Sequence, residues 1–173
     1  MNSKKKLHFT KLVGLLLLSL TWVVGVQATS GHASGGGTYH IEPNIRTEFQ
    51  FTETHVQCKI AHAVLSNGTG FQMLMLSTSI DSVTINSADK TVLITGQMIS
   101  IVNLRFTDGT TANLTESVPF VVLAEDNGAR GSGQDFFSLT VDYTDTPGLD
   151  QFDLFSSPAT FAGTVETGDV VVR

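Results

Sequence analysis

The sequence predicts an all-β protein: a single antiparallel β-sandwich behind a cleaved signal peptide, with a small β-barrel as the alternative. Two observations predict this class. Polar and apolar residues alternate along most segments after Thr38, and turn-forming pairs such as Asn67-Gly68 and Asp108-Gly109 separate those segments. Alternation with a period of two is typical of a strand with one buried and one solvated face. Short strands at this spacing indicate a sandwich or barrel, here of about nine or ten strands.

The N-terminus has the charge and hydropathy order of a secretory signal peptide. The basic stretch Lys4-Lys5-Lys6 precedes an apolar run that begins at Leu12. The run ends in Val26-Gln27-Ala28, which has small or short residues at the two positions that signal peptidase reads. The run of about 15 residues is shorter than the ~20 that span a bilayer, so we expect cleavage and no membrane span afterwards. The predicted organisation is a signal peptide at 1–28, a flexible glycine-rich leader at 29–37 and a β-sandwich domain at 38–173.

The charge balance limits the partners of the exported chain. Four of the ten Lys and Arg residues lie in the signal peptide and all 16 Asp and Glu residues lie after it, which leaves a net charge of −10. Such a surface repels phosphate backbones, so nucleic acid is not expected as a partner.

The alternation of polar and apolar side chains predicts the strands, taken here in chain order. Phe49 and Phe51 stand between polar neighbours, and Phe137–Tyr143 alternates in the same way. The run from Val56 through Cys58 to Val64 places its even-numbered residues on the buried face, so we expect a buried thiol at Cys58 and a core histidine at His62. Four segments lack alternation and are expected to be buried on both faces or close to it: Met73–Leu76, Val92–Ile94, Val118–Ala124 and Val170–Val172.

The polar segment between two of these strands, residues 125–135, has two interpretations. Asp126, Asn127 and Asp135, with nearby glycines, supply the oxygen ligands that calcium prefers. However, the spacing is not that of an EF-hand and Arg130 adds a competing positive charge. The alternative is a structural turn, in which Asp126 and Asn127 satisfy turn amides and Asp135 bonds across the loop. The sequence favours the turn, and calcium is the one cofactor it suggests.

Catalytic motifs are not apparent in the sequence. Glu48, Glu53, Asp142 and Asp153 are candidate acid–base carboxylates by residue type alone, because the sequence gives no distance between them. We therefore favour a secreted, non-enzymatic module for extracellular structure or binding. Its partners would be cell-surface or matrix components, or further copies of itself through edge-strand addition of Thr38–Ile41. The alternatives are a carbohydrate-binding module and an extracellular enzyme, such as a glycosidase or a small-barrel isomerase.

Several short segments resemble the post-COAP type of domain found in secreted bacterial proteins. They include Phe49-Gln50-Phe51, Ile94-Thr95-Gly96, Glu125-Asp126-Asn127-Gly128, Gly133-Gln134-Asp135 and the closing Gly168-Asp169-Val170. The resemblance covers most of the chain after the signal peptide and implies an extracellular β-module of bacterial surface or secreted proteins. It implies no catalytic residues. Ala129-Arg130-Gly131 stands where that family usually has an acidic residue and Pro-Gly.

Overall fold

The computed structural model describes residues 31–65, 67–144 and 157–173, of which 72% lie in strands and none in a helix. The predicted all-β class is therefore confirmed. The predicted signal peptide at 1–28 lies outside the described residues and stays a prediction. The strands are β1 (Ala33–Glu42), β2 (Ile45–Thr52), β3 (His55–Val64), β4 (Gly70–Asn86), β5 (Thr91–Arg105), β6 (Thr111–Glu125), β7 (Phe136–Val141), β8 (Ala159–Thr164) and β9 (Thr167–Val172).

All nine strands belong to one antiparallel sheet in the order β8-β7-β6-β5-β4-β3-β2-β1-β9. Strands β1 to β7 are thus each paired with the next strand along the chain, whereas β9 does not pair with β8 but returns to the far edge and pairs with β1. The sheet is curled into a half-barrel. The predicted sandwich is not confirmed, because the strands form one curled sheet rather than two stacked ones.

The passage from β8 to β9 brings the two ends of the curled sheet together. Strand β8 pairs with β7, and the chain then crosses Val165 and Glu166 to pair with β1 as β9. The Glu166 N–H donates to the Thr38 carbonyl (2.8 Å), and the Tyr39 hydroxyl donates to the Phe161 carbonyl (3.0 Å). These long-range bonds join β1 to the β8–β9 stretch.

The concave face of the sheet holds the hydrophobic core. Alternate residues of every strand point into it, and its centre is a cluster of four aromatic rings. The Phe49 and Phe137 rings stack with centroids 4.1 Å apart, and Tyr39 and Phe51 pack beside them. Burial of each ring stabilises the fold by roughly 1.5–3 kcal/mol, and the offset contacts add to this.

The flexible leader predicted for 29–37 is wrong for residues 33–37, which belong to β1: Ala33 pairs with β9, and residues 34–37 pair with β2 on one side and β9 on the other. Close packing explains the glycines. A Cβ on Gly35 would lie 2.5 Å from the Phe51 ring, and one on Gly37 would overlap the Thr167 carbonyl oxygen. The glycine run therefore lets β1 pass tightly between two neighbours, which composition alone does not distinguish from a linker.

The predicted core position of His62 is also wrong. The pairing of β3 with β4 shifts register between Ile60 and Ala63, so that Ala63 is buried while His62 and Val64 are exposed. A β-bulge adds one residue to a strand and reverses the side-chain parity beyond it. Val64 is 56% exposed for this reason.

The four segments expected to be buried on both faces or close to it are fully buried on the concave face only. Convex-face residues such as Leu74 and Val171 are half-buried, as expected, but others are more exposed than expected. Leu93 and Val121 are each 40% exposed on the convex face, while their neighbours Val92, Ile94 and Val122 are fully buried. The single curled sheet packs its core against its concave face only, so apolar residues on the convex face remain in contact with solvent.

Candidate functional site

Asp135 connects the 125–135 segment to the edge strand β9. Its side chain is buried, and both carboxylate oxygens accept main-chain hydrogen bonds: Oδ1 from Asn127 N (3.0 Å) and Oδ2 from Val170 N (2.8 Å). The first bond spans the loop, which confirms the predicted role of Asp135 in a structural turn. The second was not foreseen, because nothing local in the sequence links residue 135 to residue 170.

Asp126 makes the same kind of contact with β9, two residues further along the strand. Its Oδ2 accepts from Val172 N (3.1 Å), while its own N–H donates to the Lys90 carbonyl (2.9 Å). The Asn127 side chain donates to Glu125 Oε2 (2.9 Å). Because β9 is the edge of the sheet, its outward amides at Val170 and Val172 lack strand partners, and the two aspartates satisfy them.

The three candidate calcium ligands are thus close together, but Asp135 and Asp126 already accept main-chain N–H groups, and the Asn127 side chain donates to Glu125. Within 31–65, 67–144 and 157–173, no group of three or more His, Cys, Asp or Glu side chains is arranged to hold a metal ion. Calcium binding at Asp126, Asn127 and Asp135 stays a prediction.

An open cleft of about 930 Å³ lies beside this loop. Its floor includes Ser34, Gly36 and Gln50, which the strand pairing places on the convex face together with Asp169 and Val171 of β9. Arg130 and Gly131 of the loop form one side, because both contact Asp169: Gly131 N lies 3.4 Å from Oδ1 and Arg130 Nε lies 3.8 Å from Oδ2.

Basic side chains gather at this cleft. Lys90, Arg130 and Arg173 all line it, and the Lys90 ammonium donates to the Val172 carbonyl (2.9 Å). The Arg130 side chain is 90% exposed, whereas that of Asp169 is only 18% exposed. Arg130 is therefore available to a ligand, while Asp169 anchors the loop.

Sequence reasoning missed this cleft. Its basic residues lie some 40 positions apart, and only the return of β9 to the edge beside β1 brings them together. The only local indication of this cleft in the sequence was Arg130, a basic residue in an otherwise acidic and glycine-rich segment.

The candidate acid–base carboxylates are not brought together. Glu48 lies 4.0 Å from Lys59 on the convex face, and Glu53 accepts from the Ala33 N–H (2.6 Å) beside His32. Asp142 accepts from Thr144 and Ser157, which lowers the pKa of its carboxyl below the ordinary value. Asp153 lies outside the described residues.

Ser100 and Tyr143 form a buried polar pair on the concave face that side-chain parity did not predict. The Ser100 and Tyr143 hydroxyls are 2.9 Å apart, and Glu116 stands opposite Ser100 on β6. Burial raises the pKa of Tyr143 to about 12, so its phenol stays neutral and can donate. The pair satisfies both hydroxyls inside the core.

Cys58 is fully buried, as its parity predicted. Burial raises the pKa of its thiol to about 12, so the reactive thiolate is scarce at neutral pH.

Comparisons with family models, with curated proteins and with solved structures find no match to this chain. Across the part of the chain that the structure describes, no helix has the length and apolar character needed to cross a membrane.

Proposed function

We propose that this chain is an exported, non-enzymatic β-module that binds components of the cell surface or extracellular matrix. The N-terminal charge and hydropathy order supports the compartment. The observation that carries the binding role is the open polar cleft beside β9, which offers an exposed guanidinium and several hydrogen-bonding groups on a rigid sheet. The sequence resemblance to the post-COAP type of bacterial domain is part of the same proposal.

The use of the acidic side chains supports a non-enzymatic role. Asp126 and Asp135 bond to edge-strand amides, and Asp142 bonds to Thr144 and Ser157. These carboxylates thus stabilise the fold, whereas acid–base catalysis needs groups that face a substrate.

Self-association through Thr38–Ile41 has less support than binding. Thr38 already pairs with β2 and β9, while Tyr39 and His40 pair with β2. The free side of this segment is also bonded within the chain, because Thr38 O accepts from Glu166 N and the Tyr39 hydroxyl donates to Phe161 O. A neighbouring strand would have to displace these contacts. We expect a monomer by size-exclusion chromatography.

Export is tested by expressing the full chain in a bacterial host and determining the mature N-terminus by mass spectrometry. We expect a product that begins at Thr29 outside the cytoplasm. A Leu16→Arg, Leu17→Arg control should keep the signal and stay inside, because charge in the apolar run blocks its recognition. Full-length wild-type protein confined to the cytoplasm would refute the proposed compartment.

The enzyme alternative is tested with the purified protein and a panel of polysaccharides. Release of reducing ends that disappears in Asp142→Asn would favour a glycosidase and overturn the non-enzymatic proposal. We expect no turnover.

The prediction of calcium binding at the 125–135 segment is tested by measuring the melting temperature with and without millimolar calcium. A rise of several degrees in the melting temperature would support the prediction.

A further inference from the structure

We propose that the cleft beside β9 is a binding site for an acidic oligosaccharide, with the Arg130 guanidinium contacting a sugar carboxylate. This inference names the ligand class of the binding role proposed above and rests on it for the extracellular setting of the ligand. The geometry of the cleft itself supplies the chemistry.

Charge is the first argument. The chain after Ala28 has only six Lys and Arg residues against 16 Asp and Glu, yet three of the six (Lys90, Arg130 and Arg173) line this one cleft. Asp126 and Asp169 also line the cleft, but Asp126 accepts from Val172 N and Asp169 contacts the Arg130–Gly131 stretch. The exposed Arg130 guanidinium is therefore the charge most open to a ligand, and it favours an anion. The planar guanidinium of Arg130 matches a carboxylate, with which it forms two parallel hydrogen bonds.

The uncharged lining is the second argument. Ser34, Gln50 and Thr52 add hydroxyl and amide groups, and the partly buried Asp169 adds an acceptor. A sugar presents many hydroxyls, each both donor and acceptor, so it needs partners of both kinds. An acidic peptide has one N–H donor and one C=O acceptor per residue, whereas a sugar ring presents several hydroxyls that each donate and accept, so the sugar matches this lining more fully.

The floor at Gly36 is the third argument. A Cβ at Gly36 would meet no atom closer than 3.4 Å, whereas one at Gly35 or Gly37 would clash. The fold therefore requires no glycine at position 36. Because Gly36 has no side chain, the centre of the cleft floor is bare backbone, against which a flat sugar ring can pack.

The test is calorimetric titration of the full-length protein, purified from whichever cell fraction contains it, with a galacturonate tetrasaccharide. Binding is expected, and a roughly tenfold loss of affinity is expected for Arg130→Gln, corresponding to one charge-assisted pair. Arg105→Gln removes the same charge from the exposed outer face of β5 and is the matched control, with unchanged affinity. Gly36→Val should fold normally and bind at least tenfold more weakly, because its side chain fills the floor.

Three outcomes would overturn the proposal. The first is no heat of binding at millimolar sugar, and the second is equal affinity for the methyl-esterified tetrasaccharide. The third is a stronger interaction with a tetraglutamate peptide, which would make the cleft a site for acidic peptides. Failed export with intact sugar binding would contradict the proposed location alone, whereas export without sugar binding would contradict only this inference.

Discussion

Asp142, next to the end of β7, shows how a single exposed carboxylate stabilises a chain reversal. The Thr144 N–H, the Thr144 hydroxyl and the Ser157 hydroxyl all donate to its Oδ1. These bonds favour the charged form and lower the carboxyl pKa below 3.8, with the Thr144 hydroxyl as the largest cause. The contribution to stability is therefore fully present above the unfolded-state pKa and is lost as pH falls through the lower folded-state pKa.

We predict that Asp142→Asn lowers the melting temperature by a constant amount between pH 5 and 8, and that the difference narrows below about pH 4. Melting curves of the two proteins across this range provide the measurement. Thr144→Val is a second probe, and its effect should be strongly reduced in the Asp142→Asn background. A difference equally large at pH 3 and pH 6 would show that ionisation of Asp142 is not its source.

Cys58 combines complete burial with a thiol pKa of about 12, and both slow its reaction with alkylating agents. We predict that native protein at pH 8 resists iodoacetamide for hours, and that labelling is rapid in 6 M guanidinium chloride. Thr84→Cys, an exposed position on the convex face of β4, should add a thiol that reacts promptly under native conditions. Fast labelling of native Cys58 would mean that β3 opens readily.

The edge strand β9 is held by β1 on one side and by two aspartates on the other. The Asn side chain in Asp135→Asn has one oxygen and one N–H₂ group in place of two carboxylate oxygens. One of the two main-chain donors, Val170 N or Asn127 N, therefore faces another donor, and the other meets a weaker, uncharged acceptor. An unsatisfied buried donor costs about 1–3 kcal/mol, so we expect Asp135→Asn to lower the free energy of unfolding by that amount. Asp126→Asn affects one partly buried bond to Val172 N and should cost less.

Hydrogen exchange separates the two edge contacts. We expect Asp135→Asn to speed exchange chiefly at the Val170 amide, and Asp126→Asn chiefly at the Val172 amide. Asp89→Asn, in the exposed β4–β5 turn, controls for loss of one negative charge. Equal acceleration at both amides in both variants would mean that β9 detaches as a unit, so that the aspartates do not act separately.

The alternation of polar and apolar residues predicted the buried face of strand β3 correctly up to its β-bulge. Val56, Cys58 and Ile60 were placed correctly, but the bulge before Ala63 reversed the faces of His62 and Val64. A bulge depends on pairing with another strand, so local alternation carries no sign of it. In the 125–135 loop the bond across the turn was predictable from residue type, whereas the bonds to Val170 and Val172 depend on the distant return of β9.

At the scale of the whole molecule, alternation predicted the strands but not how they assemble. A curled single sheet and two stacked sheets both hide one face of each strand, so the pattern of Phe49, Phe51 and Phe137 is the same in either. The deciding contacts are main-chain approaches such as Glu166 N to Thr38 O, which leave no trace in hydropathy. The cleft was missed for the same reason, because Lys90, Arg130 and Arg173 meet only after the sheet has curled.

Closure of the curled sheet gives the last prediction, for which adjacent glycines provide a matched pair. A Cβ at Gly37 would overlap the Thr167 carbonyl where β9 meets β1, while one at Gly36 has ordinary contacts. We expect Gly37→Ala to lower the free energy of unfolding by roughly 2–4 kcal/mol, because the paired backbones of β1 and β9 must separate at this point. Gly36→Ala should be neutral or stabilising by up to about 1 kcal/mol, because it removes backbone freedom from the unfolded chain. Urea unfolding of both variants measures the contrast, and equal stabilities would show that the β8–β9 passage does not hold the curled sheet together.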